Sequence, residues 1–195
     1  MAAAEGGPGG DLVLSDPKAI RALAHPARLA VLEALLQGRE LTATQCAQIA
    51  GLSPSAMSYH LRAMERWGLV ERAPASSGRE RPWRGKGSGL RVESSAPAAT
   101  TAAEQALLVT VLDADRRAAL DFVARQADES EGWRDAMSLA RSNLWLSLEE
   151  ARDLQGELAA VLERYRGRRD DAGEGPSGTR RVQVSCLVVP TGDGS

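Results

Sequence analysis

Two helix-start signals lie so close together in this chain that few folds can accommodate both. Thr42-Ala43-Thr44-Gln45 has the form of a capping box, in which a hydroxyl and an amide side chain satisfy each other's backbone donors, and Gly51 stops the helix it opens at about Ala50. Ser53-Pro54 then supplies a second N-cap, followed by a proline whose missing N–H costs nothing in the first helical turn. This second helix runs to about Trp67-Gly68. Only Gly51-Leu52-Ser53 remains for the turn, so the two helices must cross. Ala47, Gly51, Met57 and Leu61 suit that crossing: a small residue where helices approach, a glycine free to take positive φ, and two large apolar side chains for the core. Met64 continues the inner face.

The flanks extend the pattern. Asp16-Pro17 repeats the cap-plus-proline signal ahead of Ile20, Leu23 and Ala24, and Pro26 interrupts that helix at His25. A second helix follows from Pro26 to about Gln37, with Gly38 as its stop and with Ala27, Ala30, Val31, Ala34 and Leu35 on one apolar face. Downstream, Leu69-Val70-Glu71-Arg72 and Arg81-Pro82-Trp83-Arg84 read as strands of a hairpin whose loop is turn-forming and partly basic. Leu90-Arg91-Val92 is read as an extension of the second strand.

Charge singles out the same stretch. The 195 residues carry a formal charge of −2, but residues 16–91 hold 12 Lys+Arg against 6 Asp+Glu, a local +6, and the remainder carries −8. All but Lys18 and Lys86 of the cations are arginine, whose planar fork meets guanine edges and phosphates bidentately. The basic segment is therefore the place to expect nucleic acid.

With these residues in view, the order of HPARL, LSPSAMSYHL, WGLVER and GRERPWR resembles a winged helix-turn-helix regulator of the ArsR type over about residues 16–91. The resemblance implies a homodimeric bacterial repressor or activator that binds double-stranded DNA through the helix opened by Ser53 and through the hairpin, or wing. Thiolate-sensing members carry Cys-x-Cys before the turn, where this chain has Thr42-Ala43-Thr44, so the resemblance is to a subgroup that does not sense metal. On the helix opened by Ser53, the polar face opposite Met57, Leu61 and Met64 offers Ser55, Ser58 and Tyr59 as base readers, His60 as a surface or DNA contact, and Arg62 and Arg66 for guanine or phosphate. On the wing, Arg79, Arg81 and Arg84 would meet the backbone or minor groove. The alternative is a winged-helix protein-interaction module without specific DNA binding.

The rest of the chain is less specific. Residues 103–126 place Leu107, Leu108, Val111, Leu112, Ala119, Phe122 and Val123 at helical spacing, as core, as a dimer seam, or as both. Residues 143–148 alternate as a strand would, Ser147-Leu148-Glu149-Glu150 caps a helix reaching about Arg166, and residues 181–190 alternate again, which suggests a strand-helix-strand unit. Trp133 and Trp145 are candidates for a ligand pocket or for ordinary packing. The expected fold is mainly α with small β (α+β). Its parts are a disordered tail 1–15, a winged domain 16–93, a linker 94–101, a dimerisation or sensing region 102–190 and a tail 191–195.

Several function classes find no support. Residues 1–10 contain neither a basic group nor an apolar run, and no apolar stretch approaches the roughly 18 residues of a membrane span, so a cytoplasmic protein is expected. Cys46 and Cys186 are too few for a disulfide framework, and with His25 and His60 they would have to converge from separate elements to hold a metal. Gly85-Lys86-Gly87-Ser88 lacks the glycine spacing and following hydroxyl of a phosphate loop, and His60 has no assignable acid partner beside Ser58. No enzyme, metal or cofactor is expected. The region after the wing leaves room for a small-molecule effector of unknown identity.

Overall fold

The computed structural model describes residues 4–5, 10–74, 81–92, 99–165 and 176–191. In chain order the elements are β1 (Ala4–Glu5), β2 (Asp11–Leu14), α1 (Pro17–Leu23), α2 (Pro26–Leu36), α3 (Ala43–Ala50), α4 (Pro54–Arg66), β3 (Val70–Arg72), β4 (Trp83–Gly85), β5 (Gly89–Val92), α5 (Ala99–Arg125), α6 (Glu131–Asp135) and α7 (Leu148–Glu163). This is a winged α+β fold, a helical body with two small sheets.

Local chemistry sets the helix ends. Asp16 accepts from the Lys18 N–H at 2.7 Å, Thr42 and Gln45 close the expected capping box, and the Ser53 hydroxyl accepts from the Ala56 N–H. Gly51, at φ +64°, ends α3 with a Schellman pair of bonds, Leu52 N–H to the Ala47 carbonyl and Gly51 N–H to that of Gln48. Gly68, at φ +71°, ends α4 in the same way, with Leu69 bonded to Met64 and Gly68 to Glu65.

The core forms around α2. Its Ala27, Leu29, Val31, Leu32, Ala34, Leu35 and Leu36 are all buried, so the single apolar face expected for it is instead an almost complete apolar surround. α3, β4 and α5 pack against it, while α1 lies along α5. Met57, Leu61 and Met64 of α4, Leu69, and Trp83 of the wing complete one core cluster. Each large side chain so buried contributes about 1.5–3 kcal/mol.

The wing is short. β3 and β4 pair antiparallel, Val70 opposite Gly85 and Arg72 opposite Trp83, and Leu41 adds a bridge to Trp83 through bonds of 3.0 and 2.8 Å. The Arg72 guanidinium lies 3.9 Å above the Trp83 ring.

Four further expectations need correction. The tail through residue 15 contains β2, whose Leu12 and Leu14 are fully buried. The 90–92 segment does not extend the second wing strand; it belongs to β5, which pairs parallel with β2 from Asp11↔Gly89 to Leu14↔Val92. Leu12 and Leu14 on its inner face suffice to place β2 once it lies between β1 and β5, and β5 is remote in sequence. The strand-helix-strand unit is absent: α7 forms with the Ser147 capping box, but residues 143–147 and 179–191 form no strand. Alternation makes a strand only where a sheet edge is offered, and here Leu144, Val182, Val184 and Leu187 are exposed. α5 begins at Ala99, so residues 99–101 of the expected linker are helical, while residues 94–98 and 192–195 lie outside the described residues.

Glycine at position 85 is a steric requirement of the wing. A Cβ there would stand 2.9 Å from the Leu36 amide nitrogen and 3.0 Å from the Leu35 carbonyl, backbone atoms of a buried helix that cannot yield. Gly85→Ala is expected to destabilise by about 1–3 kcal/mol, seen as a lower urea midpoint. Gly132→Ala, whose Cβ meets nothing within 4 Å, should not lower it.

Candidate nucleic-acid interface

α4 is an amphipathic rod laid on the core. Met57, Leu61 and Met64 are fully buried beneath it, and Ala63 nearly so. The 3.6-residue repeat then forces Ser55, Tyr59, Arg62 and Arg66 to the outside, where all four are exposed, Tyr59 by 62 %. Ser53, also exposed, is spent on its own helix as the N-cap. Ser58 is half-buried, and its Oγ donates to the Pro54 carbonyl at 2.8 Å. Its hydrogen is thus committed within the helix, and only its lone pairs remain for another molecule.

His60 occupies a different situation from the other candidates. Its Nδ1 accepts from the Arg28 Nε at 2.9 Å, and its ring lies 4.8 Å from that of His25 and 5.8 Å from that of Tyr59. Arg28 also donates through Nη1 to the Ala22 carbonyl, and His25 Nδ1 accepts from the Ala27 N–H at 3.2 Å to cap α2. A single guanidinium therefore ties the end of α1 to the outer helix. Burial, then the charges of Arg28 and His25, hold the His60 imidazole below the ordinary histidine range. His60 is a neutral positioning residue here, with one ring nitrogen already engaged.

On the wing, Arg81 and Arg84 are both exposed but differently engaged. Arg84 pairs with Glu71 across the hairpin, Nη2 to Oε1 at 2.7 Å, while Arg81 reaches only the Ala73 carbonyl at 3.4 Å. Arg79 lies outside the described residues. Arg81 is thus the readier of the two for a phosphate, since Arg84 must first leave a carboxylate.

Sequence reasoning missed Arg28. It lies on the helix read only for its apolar face, and the signal available was its place beside His25-Pro26, where a cation follows a helix junction. Cys46, in contrast, is the small buried residue expected. Trp133 and Trp145 do not form a shared pocket wall: Trp145 is fully exposed, and Trp133 is half-buried with the Arg180 guanidinium 5.4 Å from its ring centre. Among the described residues no helix is long and apolar enough to cross a membrane.

Comparison with known proteins agrees with the geometry of this part of the chain. A family described as "Helix-turn-helix domain" matches residues 23–73. That span runs from the end of α1 to just past β3 and takes in α2, α3 and α4, so the matched part of the chain is similar to a helix-turn-helix domain. No curated protein matches the chain. Among solved structures, the Mycobacterium tuberculosis MarR family protein Rv2887, in complex with salicylic acid, is similar at 24 % identity over 74 % of this chain and 85 % of that one, with a TM-score of 0.30. A superposition at that score sets up no residue correspondence.

The His60 arrangement has a pH signature. As pH falls through about 6.5, the folded chain, with His60 held below its unfolded value, binds fewer protons than the unfolded chain. Stability is complete above that range and lost on acidification. Glu33, raised by burial, acts in the opposite sense, its contribution lost as pH rises through the raised value. The difference between wild type and His60→Gln removes Glu33 from the comparison. Wild-type stability is expected to fall relative to the variant between about pH 7 and 5, measured by urea unfolding; parallel pH profiles would show that the imidazole carries no such role.

Proposed function

We propose that the chain is a sequence-specific transcriptional repressor that binds double-stranded DNA as a homodimer, with α4 in the major groove and the wing on the backbone or minor groove. The observation that carries this reading is the outer face of α4. A helix held from below by Met57, Leu61 and Met64 presents Ser55, Tyr59, Arg62 and Arg66 on a capped, projecting surface. Tyr59 and Ser55 read base edges, Arg62 and Arg66 reach guanine or phosphate, and Arg81 anchors the wing. The ArsR-type resemblance allows a repressor or an activator, and repression is the mode proposed here.

A second copy follows from α5. Its inner face, Ala103 and Leu107 with the half-buried Val111, meets the core. Its opposite face carries Leu108, Leu112, Ala119 and Val123, all exposed, with Val109 61 % exposed. The sequence stripe thus mixed residues of two faces, since Val111 turns inward. A helix apolar on opposite sides is suited to lie between two bodies. Pairing two chains through the outer face supplies the two recognition helices, about one DNA turn apart, that a palindromic operator requires.

Two measurements test this. Operator fragments recovered by genome-wide capture and titrated by gel shift should show affinity falling with salt, by about 0.9 log units per log unit of salt for each phosphate contacted. Arg81→Ala should weaken all sequences alike, and Tyr59→Phe or Ser55→Ala should change sequence preference. A chain that binds no DNA in either assay is a protein-interaction module instead.

For the dimer, Leu108→Glu with Leu112→Glu should yield monomers by light scattering and lower operator affinity by roughly 100-fold, with half-site affinity retained. A double variant that stays dimeric would place the interface elsewhere.

A further inference from the structure

Away from the outer face of α4, a cleft of about 290 Å³ lies between α2 and α5, close to the ~300 Å³ at which small-molecule sites begin. Its floor is apolar, from Leu29 and Ala30 on α2 and Ala114 and Ala118 on α5. Glu33 and Asp121 stand on its walls, and Gln183 of the C-terminal segment closes one side. Arg117 also borders it, but its Nε is turned back onto the Asp113 carbonyl of its own helix at 3.0 Å.

Glu33 is the chemically distinctive member. It is half-buried, and its carboxylate accepts no hydrogen bond among the described residues. Burial raises its pKa, the charge of Arg181 opposes that rise, and Asp115 adds to it. The compensating cation is thus borrowed from the segment 176–191, where Arg181 is exposed. That segment is held by side chains: Gln183 Nε2 donates to Asp115 Oδ1, and Arg180 forms a bidentate pair with Glu129. No backbone hydrogen bond ties residues 180–191 to the rest of the described chain.

We propose that this cleft binds a small organic cation, a protonated primary amine on an apolar body, with its ammonium facing Glu33 and Asp121 and its body on Leu29, Ala30, Ala114 and Ala118. The charge balance selects this class. An ammonium gives Glu33 a donor that also carries the opposing charge, a neutral ligand offers a donor without that charge, and an anion sets a further negative charge beside Glu33 and Asp121. The site makes no use of α4 or the wing, so it is tested on the full chain without DNA, and its failure is separate from failure of operator binding.

The probes are 4-phenylbutylamine, 4-phenyl-1-butanol and 4-phenylbutyrate, compared by titration calorimetry near neutral pH. The amine is expected to bind one equivalent at least about tenfold more tightly than the alcohol, and the carboxylate not to bind. Glu33→Gln should weaken the amine by about tenfold or more, by removing the charge. Ala118→Phe should do the same by filling the cleft, and each is checked for a urea midpoint no lower than that of the wild type. If one variant is unfolded, the other decides. Acidification should weaken the amine as Glu33 takes up its proton. Failure of the amine to bind, equal binding of the alcohol or carboxylate, or undiminished affinity in a folded variant would overturn the proposal.

Discussion

The winged part of this protein is placed by α2. A helix with seven buried apolar residues on eleven positions has almost no face left for water, and so it must be surrounded. α3 crosses it, β4 presses its glycine against the Leu35 and Leu36 backbone, and α5 covers another side. The wing and the helix-turn-helix are therefore fixed relative to each other both through α2 and directly, by the Leu41–Trp83 bridge and the bond from the Lys86 N–H to the Leu69 carbonyl.

The outer helix receives a second constraint, polar and more local. Arg28 leaves the same α2 to bond His60 and, with its other arm, the last turn region of α1. Met57, Leu61 and Met64 decide which face of α4 is inward, since apolar burial is non-directional and specifies a face without specifying an angle. The guanidinium, with its fixed fork, adds the direction that grease does not. This division explains why a histidine in the middle of the outer helix is half-buried and kept neutral.

Much of this was legible beforehand because it is written in short-range chemistry. Thr42 with Gln45, Ser53 with Pro54, Gly51 and Ser147 with Glu150 each act within a few residues, and each helix boundary they imply was found within a residue or two. The exposed candidates Ser55, Tyr59, Arg62 and Arg66 follow from the same periodicity. What escaped was decided at long range. β2 looked like tail because four residues have no period to speak of, and its partner stands at the far end of the winged region. The alternating runs near Leu144 and Val184 looked like strands because alternation reports a pattern and not a partner. Arg28 was hidden because its two acceptors, on α1 and α4, are unrelated in sequence. Likewise the two apolar faces of α5 became separable only once one of them had been covered.

The parallel pairing of β2 with β5 has a consequence for how the chain comes together. Gly87 is bare so that the Gly10 carbonyl can approach it, and Ser88 donates its N–H to that carbonyl across a separation of 78 residues. The loop so closed contains α1 through β4, the entire winged region. Its contacts cannot form until the interior has largely condensed, because the closure entropy must be met before the few bonds of a four-residue ladder reward it. The ladder is thus a long-range seam whose closure depends on the region it encloses. Synthesis order bears on this: α1 to α4 leave the ribosome well before residues 89–92, so until those are made β2 has only its antiparallel neighbour β1 to pair with.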